Sequence, residues 1–409
     1  MLTNEEKRVG IYAENQPIRP ETVTPETPLD AFNLNWTERD LPERERTKHV
    51  HRLHPYLGKF IPQLVEVFLR KYFVPGQTVL DPFVGSGTTL VQANELGIHS
   101  VGYDISAFNV LLCQAKTAQY DLDLMQNEVL DILERTRRAT QRKEPQLSLL
   151  FEHQAEYTPS TLGGDTEYLL QWYAPRALQE LLTYRSLIDT GNYRYKHLLK
   201  IILSRSARSA RLTPHYELDF PKQPQREPYW CHKHHRICEP TDEAYKFLHR
   251  YSLDTIRRIR EFALVRTDAR VEVYHADSRT AQFPPVDGVF TSPPYVGLID
   301  YHEQHAYAYH LLGLQDLREG EIGAAANGSS ERAKAQYVQD ICAVFRNALQ
   351  AMPEGGRLIV VANDRYGLYP IIAEQIGVEQ EAVLHRHVNR RTGRRSSEFF
   401  ESVFIWRKR

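Results

Sequence analysis

Several kinds of residue and pattern are scarce in this chain of 409 residues, and each scarcity excludes a class. There are four cysteines, Cys113, Cys231, Cys238 and Cys342, too few and too scattered for a disulfide scaffold, which agrees with a reducing compartment. No run of eighteen apolar residues occurs, so no membrane-spanning helix is expected, and the segment MLTNEEKRVG is polar where a signal peptide needs an apolar core. A cytoplasmic location is the expectation. Net charge is also missing: 51 Lys and Arg against 52 Asp and Glu leave −1, so any site for a polyanion must be a local patch. Internal repeats and low-complexity tracts are absent, which removes solenoids. What remains, with 42% hydrophobic and 25% charged residues, is a globular chain large enough for one big domain or two small ones.

The first 48 residues are rich in Pro, Glu, Thr and Arg and show no periodicity, which predicts an extended arm with little fold. Beyond it Ile61, Leu64, Val65 and Phe68 fall on one helical face, closed by the turn formers Pro75 and Gly76. TVLDP then reads as a buried strand, FVGSG as a turn, TTLVQANELG as a helix, SVGYDIS as a second strand and SAFNVLLCQAK as a second helix. This alternation opens a parallel, doubly wound sheet. From about residue 121 to 267 helical patterns replace strands, as if a second lobe were inserted. Strand signals resume at VEVYHAD, DGVFTSPPY and GGRLIVVAN and end with ESVFIWRKR. The division expected is an arm at 1–48, a sheet domain made of 49–120 and 268–409, and a helical insert at 121–267.

Chemistry concentrates at strand ends. In DPFVGSGTT, residues 81 to 89, Gly85 and Gly87 let a ligand lie against backbone near a helix N-terminus. The nicotinamide fingerprint wants a third glycine three positions after Gly87, where Leu90 stands, so dinucleotide binding is disfavoured. Asp104 ends the next strand, where doubly wound folds place an acid against ribose hydroxyls; as a plain helix cap it is redundant with Ser106. TSPPY, residues 291 to 295, ends a buried strand with two prolines, which force a rigid extended turn and supply no N–H donor. Its carbonyls form an acceptor-only edge suited to an exocyclic amine, and the Tyr295 ring offers a stacking surface.

DPFVGSGTT, GYD and TSPPY in one chain resemble the DNA amino-methyltransferases, which methylate the exocyclic nitrogen of cytosine or adenine from S-adenosylmethionine. The resemblance implies a Rossmann-like α/β methyltransferase sheet over about residues 50 to 118 and 270 to 409, with the helical insert between its halves as the target-recognition region. It assigns Phe83, Gly85, Gly87 and Thr88 to the cofactor loop, Asp81 to the methionine end, Asp104 to the ribose, Asp277 of HADSR to the adenine amine, and Lys59 and Phe60 of HPYLGKF to the methionine carboxylate. Ser292, Pro293, Pro294 and Tyr295 match the catalytic tetrapeptide. A serine in its first position implies cytosine N4 rather than adenine N6, and SSEFFESVFIW resembles the last sheet hairpin bordering the base. Carbon-5 methylation is excluded because neither Cys342 nor Cys113 follows a proline at a strand end. The alternatives kept open are N6-adenine methylation, tRNA guanine N2 methylation, whose enzymes usually carry an RNA-binding domain in front, and a non-catalytic DNA-binding subunit. Double-stranded DNA is the expected partner, with a cognate restriction endonuclease beside it if the enzyme serves such a system.

Two acid-free runs are expected to contact DNA phosphates. Residues 194 to 211 carry six Lys or Arg, with Arg205, Arg208 and Arg211 at three-residue spacing, and residues 385 to 395 add five arginines, including Arg390, Arg391, Arg394 and Arg395. CHKHHRIC brings Cys231, His234, His235 and Cys238 together, but the spacing differs from that of the common zinc fingers, so two buried cysteines in a loop of solvent-facing histidines are expected and no metal. YHEQHAYAYH, residues 301 to 310, reads as a helix behind the site.

Overall fold

In the computed structural model, which describes residues 16–141, 166–297, 299–324, 328–388 and 399–409, the apolar runs form one seven-stranded sheet. The chain enters through a short helix α1 (Glu43–Arg46) and the amphipathic α2 (Pro62–Tyr72), then alternates β1 (Thr78–Asp81), α3 (Thr88–Glu95), β2 (His99–Asp104) and α4 (Ala107–Thr117). The insert follows as α5 (Leu122–Gln141), α6 (Thr166–Trp172), α7 (Pro175–Thr190) and α8 (Lys196–Ala210), a small hairpin of β3 (Tyr229–Cys231) and β4 (Arg236–Cys238), and α9 (Tyr245–Ala263). Pro175 breaks what reads as one helical pattern, because proline is accommodated only at the first turn. The sheet resumes with β5 (Val271–His275) and β6 (Gly288–Thr291), passes through α10 (Tyr301–Gln304), α11 (Ala306–Leu312) and α12 (Glu331–Ala351), and finishes with β7 (Arg357–Ala362), α13 (Tyr369–Ile376), β8 (Glu379–Val388) and β9 (Phe399–Arg407).

Strand order is β5-β2-β1-β6-β7-β9-β8, parallel throughout except for β9, which runs against both β7 and β8. The chain builds outward from β1 to β2 and β5, then returns to the other side of β1 with β6 and β7. Winding therefore reverses between β1 and β6, and doubly wound sheets open a ligand crevice at the carboxyl ends of the strands at such a point. Both faces are buried by alternation: Leu80, Val289, Leu358 and Val360 face α12 and α13, while Val79, Phe290, Ile359 and Val361 face α2.

The arm is not the loosely folded segment that its composition predicts. Over residues 16–48 it makes only 3-10 turns and one short helix, yet Val23, Phe32 and Leu34 are buried against α2, and Trp36 Nε1 donates to the Ile18 carbonyl at 2.8 Å. A few large apolar side chains suffice to anchor a segment that has no periodic pattern. The insert, for its part, shares one core with the sheet domain: Leu181, Leu199, Ile202 and Leu248 pack in the same cluster as Phe108 and Leu112 of α4 and Tyr307 of α11.

Candidate active site

Four acidic or hydroxyl side chains end adjacent strands at the crevice: Asp81 on β1, Asp104 on β2, Asp277 just past β5 and Thr291 on β6. Beneath them the glycine turn is held open by its own geometry. Gly85 and Gly87 have φ of 48° and 77°, the left-handed region that favours glycine, and a Cβ on Gly87 would meet Cys113 Sγ at 2.9 Å. Gly87 caps α3, so the first N–H groups of that helix open toward the crevice. Buried Lys116 donates from below to the Ser86 carbonyl and supports the turn.

A cavity of about 810 Å³, part of it open to solvent, runs along these strand ends. Of the residues expected to hold the cofactor, Lys59, Phe60, Phe83, Gly85, Thr88, Asp104 and Asp277 line it, and of the tetrapeptide Ser292 and Pro294 do. Asp104 is a preorganised acceptor: Oδ2 receives the Gly85 N–H at 2.8 Å and Asn109 Nδ2 at 3.1 Å, and Oδ1 receives the Ser106 N–H at 2.8 Å. Three bonds leave a carboxylate room for another donor. Burial raises its pKa despite those bonds. The cap of α4 is Ser106, whose Oγ accepts from the Asn109 N–H, so Asp104 is not needed for that task.

Asp277 is clamped by Arg279, with Arg279 Nη2 on Oδ2 at 2.6 Å and Nε within 3.0 Å of both oxygens. Burial alone would raise its pKa, and the bonds from Arg279 outweigh that and lower it. Lys59 donates to the His51 carbonyl at 2.7 Å, and burial lowers its pKa to about 8. Phe60 packs edge-on against Phe290 of β6.

Four expected residues do not line the cavity: Gly87, which packs against Cys113, and Asp81, Pro293 and Tyr295. Asp81 is buried and ties the strand ends together, accepting from Thr291 Oγ1 at 2.6 Å and the Phe83 N–H at 3.1 Å; burial pushes its pKa up to about 6. Pro293 is buried too. Tyr295 is half-buried beside the cavity, its hydroxyl donating to Glu401 Oε1 at 3.2 Å, and Glu401 is in turn paired with Arg386 at 3.1 Å. The Pro294 carbonyl accepts from Tyr337 Oη at 3.0 Å, which fixes the turn from the side of α12.

Reading the sequence missed several residues on the same wall. Tyr56 and Tyr301 stack at 5.7 Å and line the cavity, as do Asn109 and Glu321. Tyr301 belongs to the histidine-rich helix that was expected to lie behind the site; its neighbours His302 and His305 are buried, and His302 Nδ1 bonds Glu321 Oε1 at 2.7 Å. Glu321 Oε2 is buried without a partner among the described residues.

The basic run on α8 departs from expectation. Arg205 and Arg211 are buried, Arg205 paired with Asp254 at 2.7 Å, Arg208 with Asp219, and the Arg211 guanidinium over the Tyr307 ring at 4.6 Å. Three-residue spacing does place these arginines on one face, but that face turns inward, where Arg205 and Arg208 are held in ion pairs and Arg211 by the Leu218 carbonyl and the Tyr307 ring, so none of the three is a free phosphate contact. Arg390, Arg391, Arg394 and Arg395 lie outside the described residues.

Parallel strands with a reversal at β1 and β6, a glycine cradle that a Cβ would fill, and an acid on the second strand with a spare lone pair define a Rossmann-like methyltransferase whose cofactor is S-adenosylmethionine. Residues 11–115 match the family model described as DNA methylase. The chain is 36% identical to the type II methyltransferase M.MjaII of Methanocaldococcus jannaschii over 91% of this chain and 83% of that protein. It is 22% identical to the type II methyltransferase M.BsoBI of Geobacillus stearothermophilus, over 71% of this chain and 58% of that one. The chain belongs to the DNA amino-methyltransferase family. Among solved structures the likeness is remote: the rRNA methyltransferase aviRa from Streptomyces viridochromogenes is 12% identical, with a TM-score of 0.33 over 87% of this chain and 88% of that one.

Proposed function

We propose that this chain methylates the exocyclic N4 of cytosine in duplex DNA, taking the base out of the helix to reach it. The observation that carries the reading is that Ser292 and Pro294 stand on the same cavity wall as Gly85 and Asp104, so an amine on the tetrapeptide lies next to a ligand in the glycine cradle. S-Adenosylmethionine, when bound, supplies an electrophilic methyl group on a sulfonium. The residues that fit it are the Gly85 and Gly87 turn for the backbone approach, Asp104 for the ribose hydroxyls, and Lys59 with the open end of α3 for the carboxylate.

The work of the other residues follows from charge. Carbonyl acceptors at Ser292 and Pro293 take the two amine hydrogens and stabilise a nitrogen that becomes cationic as it is methylated. Holding the amine about 3 Å from the methyl carbon is itself a large part of the acceleration. Tyr295, anchored by Glu401, bears on the flipped base, and the proton of the cationic nitrogen leaves after transfer, to water. The insert, residues 121–267, reads the target sequence. The cytosine preference rests on Ser292, and a partner endonuclease, if there is one, acts at the same sequence.

The test compares Tyr295→Ala with Tyr295→Phe in steady-state methyl transfer from labelled S-adenosylmethionine. Losing the ring removes stacking worth about 1 to 3 kcal/mol, so the alanine variant transfers methyl groups at least fivefold more slowly while its calorimetric affinity for the cofactor stays within twofold. The phenylalanine variant keeps most activity, because it retains the ring and loses only the hydroxyl, which bonds Glu401 and the Ser292 side chain. Wild-type turnover by Tyr295→Ala contradicts the stacking role.

A further inference from the structure

The insert carries a cluster that the methyltransferase reaction does not use. His215, Cys231, His234 and Cys238 each offer one ligand atom, and the four atoms lie within 4.8 Å of one another. His234 Nδ1 is 3.6 Å from Cys231 Sγ and 3.4 Å from Cys238 Sγ, and His215 Nδ1 is 3.8 Å from Cys231 Sγ. In a tetrahedral zinc site with Zn–S near 2.3 Å and Zn–N near 2.0 Å, the sulfur-to-nitrogen edge is about 3.5 Å. The three edges observed, 3.4 to 3.8 Å, scatter about that value. Both cysteines are buried and neither is in a disulfide.

We infer that His215, Cys231, His234 and Cys238 form a structural zinc site that fastens the loop between α8 and α9. Two thiolates and two imidazoles are the donor set that selects Zn²⁺, and four protein ligands close the coordination shell, which distinguishes a structural ion from a catalytic one. The hairpin needs such a fastening. β3 and β4 are three residues each, and the apolar cluster between them consists of Tyr229, Cys231 and Cys238. A two-stranded hairpin with so little core is marginal in water, and small units of this kind are stabilised by metals or disulfides. Its other face is open: Trp230 and Ile237, paired across the strands, are 50% and 60% exposed.

Local geometry aims the ligands. His235 adopts φ of 52°, turning the chain after His234, and the N–H groups of His234 and His235 both donate to the Cys231 carbonyl, at 3.1 and 2.8 Å. That turn sets His234 Nδ1 close to both sulfurs, with the ring still exposed, and leaves His235 outside the tetrad. His215 comes from sixteen residues before Cys231, which is why the spacing within CHKHHRIC alone did not resemble a zinc motif. The Tyr229 hydroxyl lies 2.9 Å from His215 Nδ1 and rotates away when that nitrogen takes a metal.

The experiment measures metal in the full chain, made without a histidine tag in zinc-supplemented medium and purified without chelator. Mass spectrometry of the elements returns one zinc per chain for the wild type and for His235→Ala, and background for Cys231→Ser/Cys238→Ser. If the double variant does not fold, cobalt exchange into the wild type decides: thiolate-to-cobalt charge transfer with the intense visible bands of a tetrahedral ion supports the site. Wild-type protein without stoichiometric zinc, cobalt spectra lacking thiolate bands, or a folded double variant that keeps its zinc each overturn the proposal.

Discussion

Replacing Arg205 by methionine separates two readings of the basic helix. The arginine is buried, its Nη1 lies 2.7 Å from Asp254 Oδ2, and its guanidinium sits 4.1 Å over the Tyr251 ring. Methionine keeps most of the stem's volume, so what is lost is a charge-assisted hydrogen bond, about 1.5 to 3 kcal/mol, and a cation–π contact of about 0.5 to 2 kcal/mol. Asp254 is not left stranded, because Arg258 Nε at 2.9 Å and Arg257 Nη2 at 2.6 Å still hold it. A loss of about 2 to 4 kcal/mol in urea unfolding is therefore expected, short of the worst case for a broken buried pair. The reverse change, Asp254→Ala, strands buried Arg205 and Arg258 together and is expected to cost about 3 to 5 kcal/mol. In DNA binding, the slope of log affinity against log salt should be the same for Arg205→Met and wild type. Stability unchanged within about 0.5 kcal/mol together with a slope reduced by about one phosphate equivalent would refute the structural role and restore the phosphate contact.

Asp104→Asn keeps the shape of a residue that accepts from Gly85, Ser106 and Asn109, and should weaken S-adenosylmethionine binding by about 1 to 3 kcal/mol, roughly 5- to 150-fold, with unaltered circular dichroism. Unchanged calorimetric affinity refutes the ribose assignment. Asp81 has its carboxyl raised from 3.8 to about 6 by burial, so its contribution to stability is fully present below pH 3.8 and is lost as pH rises through about 6. The stability of wild type relative to Asp81→Asn should accordingly fall by about 1.3 kcal/mol between pH 5 and 7, and by about 3 kcal/mol over the whole window. Parallel stability curves for the two proteins contradict that shift.

What could be read in the sequence is what physics makes local. β1, β2, β6 and β7 are buried on both faces and show as apolar runs, and the glycine turn shows because Gly85 and Gly87 need a backbone that other residues avoid. β8 is harder to see: it is an edge strand, EQEAVLHRHV, whose side chains are mostly exposed or half-buried, and its charged end was read as part of a basic run. Spacing placed Arg205, Arg208 and Arg211 on one face without saying that the face meets Asp254, Asp219 and Tyr307. Arg279, Glu321 and the Tyr56–Tyr301 stack come to the site from separate segments, and no periodicity connects them. His215 escaped for the same reason.

The base that receives the methyl group is the most direct measure of the account. Duplex DNA incubated with the wild-type chain and S-adenosylmethionine, digested to nucleosides and analysed by mass spectrometry, should contain N4-methylcytosine. N6-methyladenine alone would contradict the role given to Ser292, and unmodified DNA beside methylated tRNA would contradict the assignment of DNA as the substrate.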